Sequence, residues 1–208
     1  MSSTVPMPKI NYVCILGGTD LGKDDEFRSA ANNLGVTLAA RKLHLVYGGG
    51  VGGLQGRVAA AAIAGGSRVL SFALKKDNDL SLTIGTEFKF STMQERMTRM
   101  LLNSDAFIAL PGGFLSLQEV MSILFWADEN CHRKPLGFLN INGFFDGFIS
   151  YINHAVEQGF ISEGTRGIIV SAPTAEEVLD QLQPAPVKLD QANQYIVSNG
   201  EPDTILRL

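Results

Sequence analysis

Cysteine and histidine are scarce in this chain and net positive charge is lacking, and each shortage removes a class of function. Only 2 of the 208 residues are cysteine. Cys14 and Cys131 are too few for a disulfide framework and carry no metal-ligand spacing. Cys14 lies in the apolar run Tyr12–Leu16 and reads as a small buried hydrophobe, so both are expected to be free thiols in a reducing compartment. The 3 histidines, His44, His132 and His154, are scattered and no G-x-S-x-G occurs, which removes the Ser-His-Asp hydrolase signature. No ligand cluster suggests a metal. No apolar run is long enough to span a bilayer, and the first residues lack a charged segment followed by an apolar one, so no membrane partner is expected and the expected location is cytoplasmic. A net charge of -4 offers no basic face for nucleic acid. A small anion remains possible, because a few backbone N–H groups can hold one without net positive charge.

What the sequence does have is an alternation of short β-rich runs and longer amphipathic stretches, the pattern of parallel βαβ units. Strands are expected at Tyr12–Leu16, Leu43–Tyr47, Arg68–Phe72, Asp105–Leu110, Pro135–Leu139 and Ile168–Val170. Helices are expected at Asp24–Arg41, Leu54–Ala64, Met93–Asn103, from Ser116, at Phe144–Gln158 and after an N-capping Thr174, with Glu177 completing a capping box. Residues 73–90 read as irregular. The fold class is therefore α/β, a single Rossmann-like domain over residues 10–183 with a parallel sheet and helices on both faces. Residues 184–208 are polar and proline-broken and read as a tail.

Three of the strands run into glycine turns: Gly17-Gly18, Gly48-Gly49-Gly50 and Gly112-Gly113. In an open parallel sheet, ligands bind beyond the carboxyl ends of the strands. Glycine lets the backbone approach a phosphate, and the next helix start supplies free N–H donors. Tight turns alone would also explain the glycines; three in register with strand ends favour a ligand site. Gly48–Gly53 matches G-x-G-x-x-G between a strand and a helix. The next strand ends at Ser71-Phe72-Ala73, without the acidic residue that holds a dinucleotide ribose. Lys75 and Lys76 could meet a 2′-phosphate, so a nicotinamide-dependent oxidoreductase stays as a distant alternative.

Two further segments carry chemistry. In Met93–Met100, Arg96 and Arg99 lie one turn apart, as do Met93, Met97 and Met100. The methionines read as core and Arg99 as solvated. Pro111–Glu119 follows an apolar strand, and Ser116 with Glu119 spells a capping box. That plain role competes with a functional one, because the carboxylate lies within a helical turn of the glycine loop.

At these residues the chain resembles the LONELY GUY family of cytokinin riboside 5′-monophosphate phosphoribohydrolases. The family's P-G-G-x-G-T-x-x-E falls on Pro111–Glu119, and its M-H-x-R-K on Met93–Met97. Similarity extends through Leu45–Gly50, Leu54-Gln55-Gly56, Asp105–Leu110, Lys134-Pro135 and Ala155–Ile161, and overall from Tyr12 to Leu182. The resemblance implies cleavage of the N-glycosidic bond of a nucleoside 5′-monophosphate. It implies Glu119 and Arg96 as catalytic residues: the carboxylate near the anomeric carbon, the arginine binding substrate and holding the carboxylate. Gly112, Gly113, Phe114, Leu115 and Ser116 are implied around the phosphate, with Thr19, Gly50 and Met97 also lining the site, and a homodimer with sites at its interface. The partner is a small-molecule nucleoside monophosphate, with no cofactor. The label lysine decarboxylase, often attached to the family, has no support, since Lys75, Lys76, Lys89 and Lys134 fall in expected loops, edges or strand starts and none reads as a Schiff-base lysine.

The chain departs from the family at several positions. Leu115-Ser116 replaces Gly-Thr, Gln94 and Met97 replace His and Lys, and Leu16-Gly17-Gly18-Thr19 stands for Cys-Gly-Ser-Ser. Leucine takes positive φ at a cost, so Leu115 is expected to disturb the phosphate loop. A second reading follows, a nucleotide-binding homologue with little turnover. The helix Leu117–Ala127, with Val120, Met121, Ile123, Leu124, Phe125 and Trp126, has more apolar surface than one face can bury and is expected in a homodimer interface.

Overall fold

The structure, a computed structural model, describes residues 9–75 and 82–182. The tail at 184–208 and Lys76 lie outside the described residues. Seven strands form one parallel sheet. They are β1 (Tyr12–Gly17), β2 (His44–Tyr47), β3 (Val69–Leu74), β4 (Thr86–Phe90), β5 (Ala106–Leu110), β6 (Leu136–Leu139) and β7 (Ile169–Ala172). The spatial order is β4-β3-β2-β1-β5-β6-β7. The chain runs outward from β1 to β4, then returns to place β5 on the other side of β1. The β1/β5 junction is therefore the switch point, where the connecting loops part and leave a crevice.

Alternation along the strands builds the two layers. Val13 and Ile15 face one way, packing with Ala31, Leu34 and Leu38 of α1 (Asp25–Ala40), Val58 and Ala62 of α2 (Gly53–Ala64) and Val178 of α7 (Ala175–Gln181). Cys14 and Leu16 face the other way, onto Met97 and Met100 of α3 (Met93–Leu102), Val120 and Ile123 of α4 (Phe114–Asp128) and Ile152 of α5 (Asp146–Glu157). A strand buried on both faces reads as a continuous apolar run, as Val13–Leu16 does. Gly35 lets α1 and α2 touch, since a side-chain carbon there would meet the Ala61 and Ala62 turn of α2. Thr174 caps α7, its hydroxyl accepting from Glu177 N at 3.3 Å.

Three features differ from the sequence reading. β4 lies within the stretch expected to be irregular; as an edge strand it is half-covered and carries Glu87 and Lys89, so it lacks the apolar run that marks the inner strands. A short helix, α6 (Glu163–Arg166), was also not expected. α4 begins at Phe114, its N-cap is Gly113, and no side chain caps it. The Ser116–Glu119 capping box therefore does not form, because both side chains are engaged across the sheet, as described below.

His132, between α4 and β6, is 5% exposed. Its Nδ1 accepts from Lys134 N at 3.1 Å, which leaves Nε2 to donate to Ile123 O at 2.9 Å. Burial, helped by the charges of Lys134 and Arg133, pushes its pKa down to about 4. The unfolded ring titrates near 6.5, so between these values the unfolded chain binds the extra proton. His132 thus stabilises the fold fully above about pH 6.5, and that contribution is lost as pH falls toward 4, by about 3 kcal/mol in all. Urea unfolding across this range should show the stability gap between the natural protein and His132→Gln shrinking by about that amount toward pH 4. A gap that stays constant with pH would exclude the buried neutral ring as the cause.

Candidate active site

The crevice at the switch point holds a buried ion pair. Arg96, on α3, sends Nη1 to Glu119 Oε1 on α4 at 2.7 Å, with side chains only 6% and 4% exposed. Arg96 Nε donates to Phe72 O of β3 at 2.7 Å, and Gly17 N, at the end of β1, donates to Glu119 Oε2 at 2.7 Å. Both oxygens of the carboxylate and two nitrogens of the guanidinium are therefore fixed by charge-assisted bonds. A pair so buried would be costly if either partner lacked its bonds.

Glycines make the close approaches possible. At Gly48 a side-chain carbon would overlap Arg96 Nη2, and at Gly17 and Gly112 it would overlap the Ser116 hydroxyl. That hydroxyl, on a buried residue, accepts from Gly18 N at 3.2 Å, so Ser116 ties the turn after β1 to the turn after β5. Tyr47 braces the third turn, its hydroxyl donating to Gly50 O at 2.9 Å and accepting from Ile84 N at 3.0 Å.

The start of α4 faces this arrangement uncapped. The first helical bond runs from Leu117 N to Gly113 O at 3.1 Å, so the N–H groups of Phe114, Leu115 and Ser116 have no carbonyl to bond within the helix. Unpaired N–H groups and the positive end of the helix dipole favour an anion. Around Gly113 and Gly50 a side-chain carbon would meet nothing within 4 Å.

The remaining sequence-derived positions divide. Thr19 is half-buried beyond β1, its hydroxyl donating to Asp20 Oδ2 at 3.2 Å. Phe114 is 91% exposed. Met97 is buried among α3, α4 and the sheet, with its sulfur 3.9 Å from Arg96 Nη1, so it contacts the ion pair from the core side. The strain expected at Leu115 does not arise. It is the second residue of α4, is absent from the residues with positive φ, and its side chain is 38% exposed, so its N–H stays at the helix start. Gly48 and Gln55 were not singled out individually. Gly48 stands in the sequence among the glycines of the turn after β2 and within the family-like run Leu45–Gly50, and Gln55 within the family-like Leu54-Gln55-Gly56. Beneath the pair, burial and then the Glu119 charge push the Cys14 thiol well above its usual range, which makes it inert packing.

Comparison with known proteins decides the family. Residues 55–182 match a family model described as possible lysine decarboxylase. A probable cytokinin riboside 5′-monophosphate phosphoribohydrolase of Oryza sativa subsp. japonica is 42% identical over 84% of this chain and 84% of its own length. A cytokinin riboside 5′-monophosphate phosphoribohydrolase of Arabidopsis thaliana is 40% identical over 88% of this chain and 86% of its own. The chain belongs to the LONELY GUY family.

Solved structures extend the fold beyond this family. A molybdenum cofactor binding protein from Rippkaea orientalis superposes with a TM-score of 0.61 at 18% identity, covering 83% of this chain and 94% of its own. A Moco carrier protein from Chlamydomonas reinhardtii gives 0.62 at 17% identity, covering 84% and 98%. At such identities the likeness concerns the fold alone. In LONELY GUY terms, the segments of the two family motifs, Met93–Met97 and Pro111–Glu119, are the ones that meet at the β1/β5 switch point, joined by the Arg96–Glu119 bond. Of the lysines considered for the decarboxylase label, Lys134 is engaged by its Nζ with Leu101 O and Ser104 O at 2.6 and 2.7 Å, at the end of α3.

Proposed function

We infer that the protein hydrolyses the N-glycosidic bond of a nucleoside 5′-monophosphate of the adenine or cytokinin type. Water adds its hydroxyl to the anomeric carbon, the base leaves with the proton, and ribose 5-phosphate remains. The observation that carries this reading is the buried Arg96–Glu119 pair, set beside an uncapped helix start. Cleavage passes through an oxocarbenium-like state, which a fixed carboxylate stabilises electrostatically. Glu119 takes that role, Arg96 holds it and meets substrate, and the phosphate is received by the N–H groups of Phe114, Leu115 and Ser116 with Gly112 and Gly113. Thr19 and Gly50 line the opening, and Met97 backs the guanidinium. Two free cysteines suit the cytoplasm as its place of action.

The second reading, a nucleotide-binding homologue with feeble turnover, draws on Leu115, whose partly exposed isobutyl group stands at the helix start, and on Met97, which supplies no cation. Release of free base from AMP and from a cytokinin riboside 5′-monophosphate separates the two. The hydrolase reading expects release from at least one of them. Saturable binding without release would install the second reading in its place.

The same reading includes a homodimer. Val120, Ile123 and Leu124 are buried in their own chain and Trp126 packs against that core, but Met121 and Phe125 are 48% and 61% exposed. With Phe114 and Leu115 they give the outer side of α4 an apolar character. Light scattering at micromolar concentration should give the mass of a dimer, and Phe125→Glu should give a monomer. A natural protein that is already monomeric would rule this assembly out.

A further inference from the structure

The ion pair leaves one nitrogen of Arg96 unused. Nε and Nη1 are bonded to Phe72 and Glu119, while Nη2 makes no hydrogen bond to any described residue. It lies over Gly48 at the end of β2. The carbonyl oxygen of Gln55, near the start of α2, reaches the same point, 3.2 Å from where a Gly48 side-chain carbon would stand. Gln55 is held in place: its Nε2 donates to Gly49 O at 3.1 Å and its backbone N donates to Gly18 O at 3.0 Å. Because a carbonyl partner requires the amide nitrogen on that side, Oε1 is the atom left over. Among the described residues, the buried side-chain polar atom without a partner is Arg133 Nη1. Arg96 Nη2 and Gln55 Oε1 have no hydrogen-bond partner among the described residues and are not among the fully buried atoms of that kind. A charged donor and a neutral acceptor stand together at the open edge of the pair.

A hydroxyl is the group that satisfies both, since it accepts through its lone pairs and donates its hydrogen. A phosphate oxygen would be repelled by Oε1, and an apolar group would leave both atoms unmatched. We propose that Gln55 and Arg96 Nη2 together bind the ribose hydroxyl adjacent to the anomeric carbon, making Gln55 a specificity residue for ribonucleotides over 2′-deoxyribonucleotides. The identity of the sugar rests on the hydrolase reading. Glu119, bonded to the same guanidinium through Nη1, is the carboxylate assigned to the anomeric carbon, so the hydroxyl one carbon away falls within reach of Nη2. A site built for a hydroxyl rejects the analogue lacking it, because its own polar groups are then left unpaired.

The test uses ribose 5-phosphate and 2-deoxyribose 5-phosphate, which have no base to lose, titrated calorimetrically into the full protein. The natural protein should prefer the ribose form by about tenfold, and Gln55→Met should reduce the preference to about twofold or less. Methionine keeps the length of the side chain and its helix propensity; Gln55→Leu takes its place if that variant melts below the natural protein. Equal affinity for the two sugars in the natural protein, or affinity for neither, overturns the proposal, as does a preference that survives in a well-folded Gln55 variant. Failure of the hydrolase reading looks different: AMP yields no free base while the preference for ribose 5-phosphate persists.

Discussion

Glu119→Gln is expected to slow base release by about a thousandfold, or about 4 kcal/mol on the barrier. On the hydrolase reading the substitution removes the negative charge proposed to face the developing oxocarbenium, and it also sets a donor where an acceptor stood. Glutamine can accept from Arg96 Nη1 or from Gly17 N, but its amide nitrogen must then face the other donor. Because the two side chains are almost fully buried, that donor stays unpaired, at a stability cost of about 1–3 kcal/mol. Affinity for ribose 5-phosphate should change far less, since the proposed phosphate site is made of backbone N–H groups at the start of α4. Steady-state base release at a temperature below the variant's melting point is the measurement. Near-normal turnover would remove Glu119 from the chemistry and leave it as part of a structural ion pair.

Gly48→Ala should be almost as damaging, for a different reason. The backbone of Gly48 is outside the positive-φ region, so alanine brings no conformational strain. Its methyl group would, however, overlap Arg96 Nη2 and press on Gln55 Oε1. The guanidinium must then shift, and with it the carboxylate it holds. A displacement of about 1 Å in a catalytic group lowers the rate about a hundredfold. Gly52→Ala provides the control, because that glycine has ordinary φ and a side-chain carbon there meets nothing within 4 Å. Comparable losses in both variants would mean that the loop tolerates no side chain at all, and the specific contact with Arg96 would lose its importance.

Much of the fold was legible in the sequence, and the exceptions have identifiable physical causes. Inner strands such as Val13–Leu16 announce themselves because both faces are covered and every residue is apolar. β4 escaped notice because an edge strand needs no such run. The start of α4 was placed at Ser116, since a serine three residues before a glutamate is ordinarily a cap. The helix instead begins at Phe114, with glycine before it, and that difference matters: a side-chain cap would have occupied the N–H groups that face the crevice. Leu115 was judged by the glycine it replaces. In the helix it has ordinary backbone angles, so the anticipated strain has no source.

The sequence by itself determined the α/β alternation, the three glycine turns at strand ends, and the family motifs in which Arg96 and Glu119 stand. These are local patterns, with periods of two and of 3.6 residues and turn chemistry read within a single segment. Only the tertiary structure decided what the two side chains are bonded to. Glu119 takes its second hydrogen bond from an amide 102 residues away, and Arg96 donates to a backbone carbonyl 24 residues away. Backbone donors and acceptors are the same at every residue, so such bonds leave no mark in the side-chain sequence. It is the parallel packing of β3, β2, β1 and β5 that brings their ends together, and with them Gly48, Gln55 and the free edge of the guanidinium.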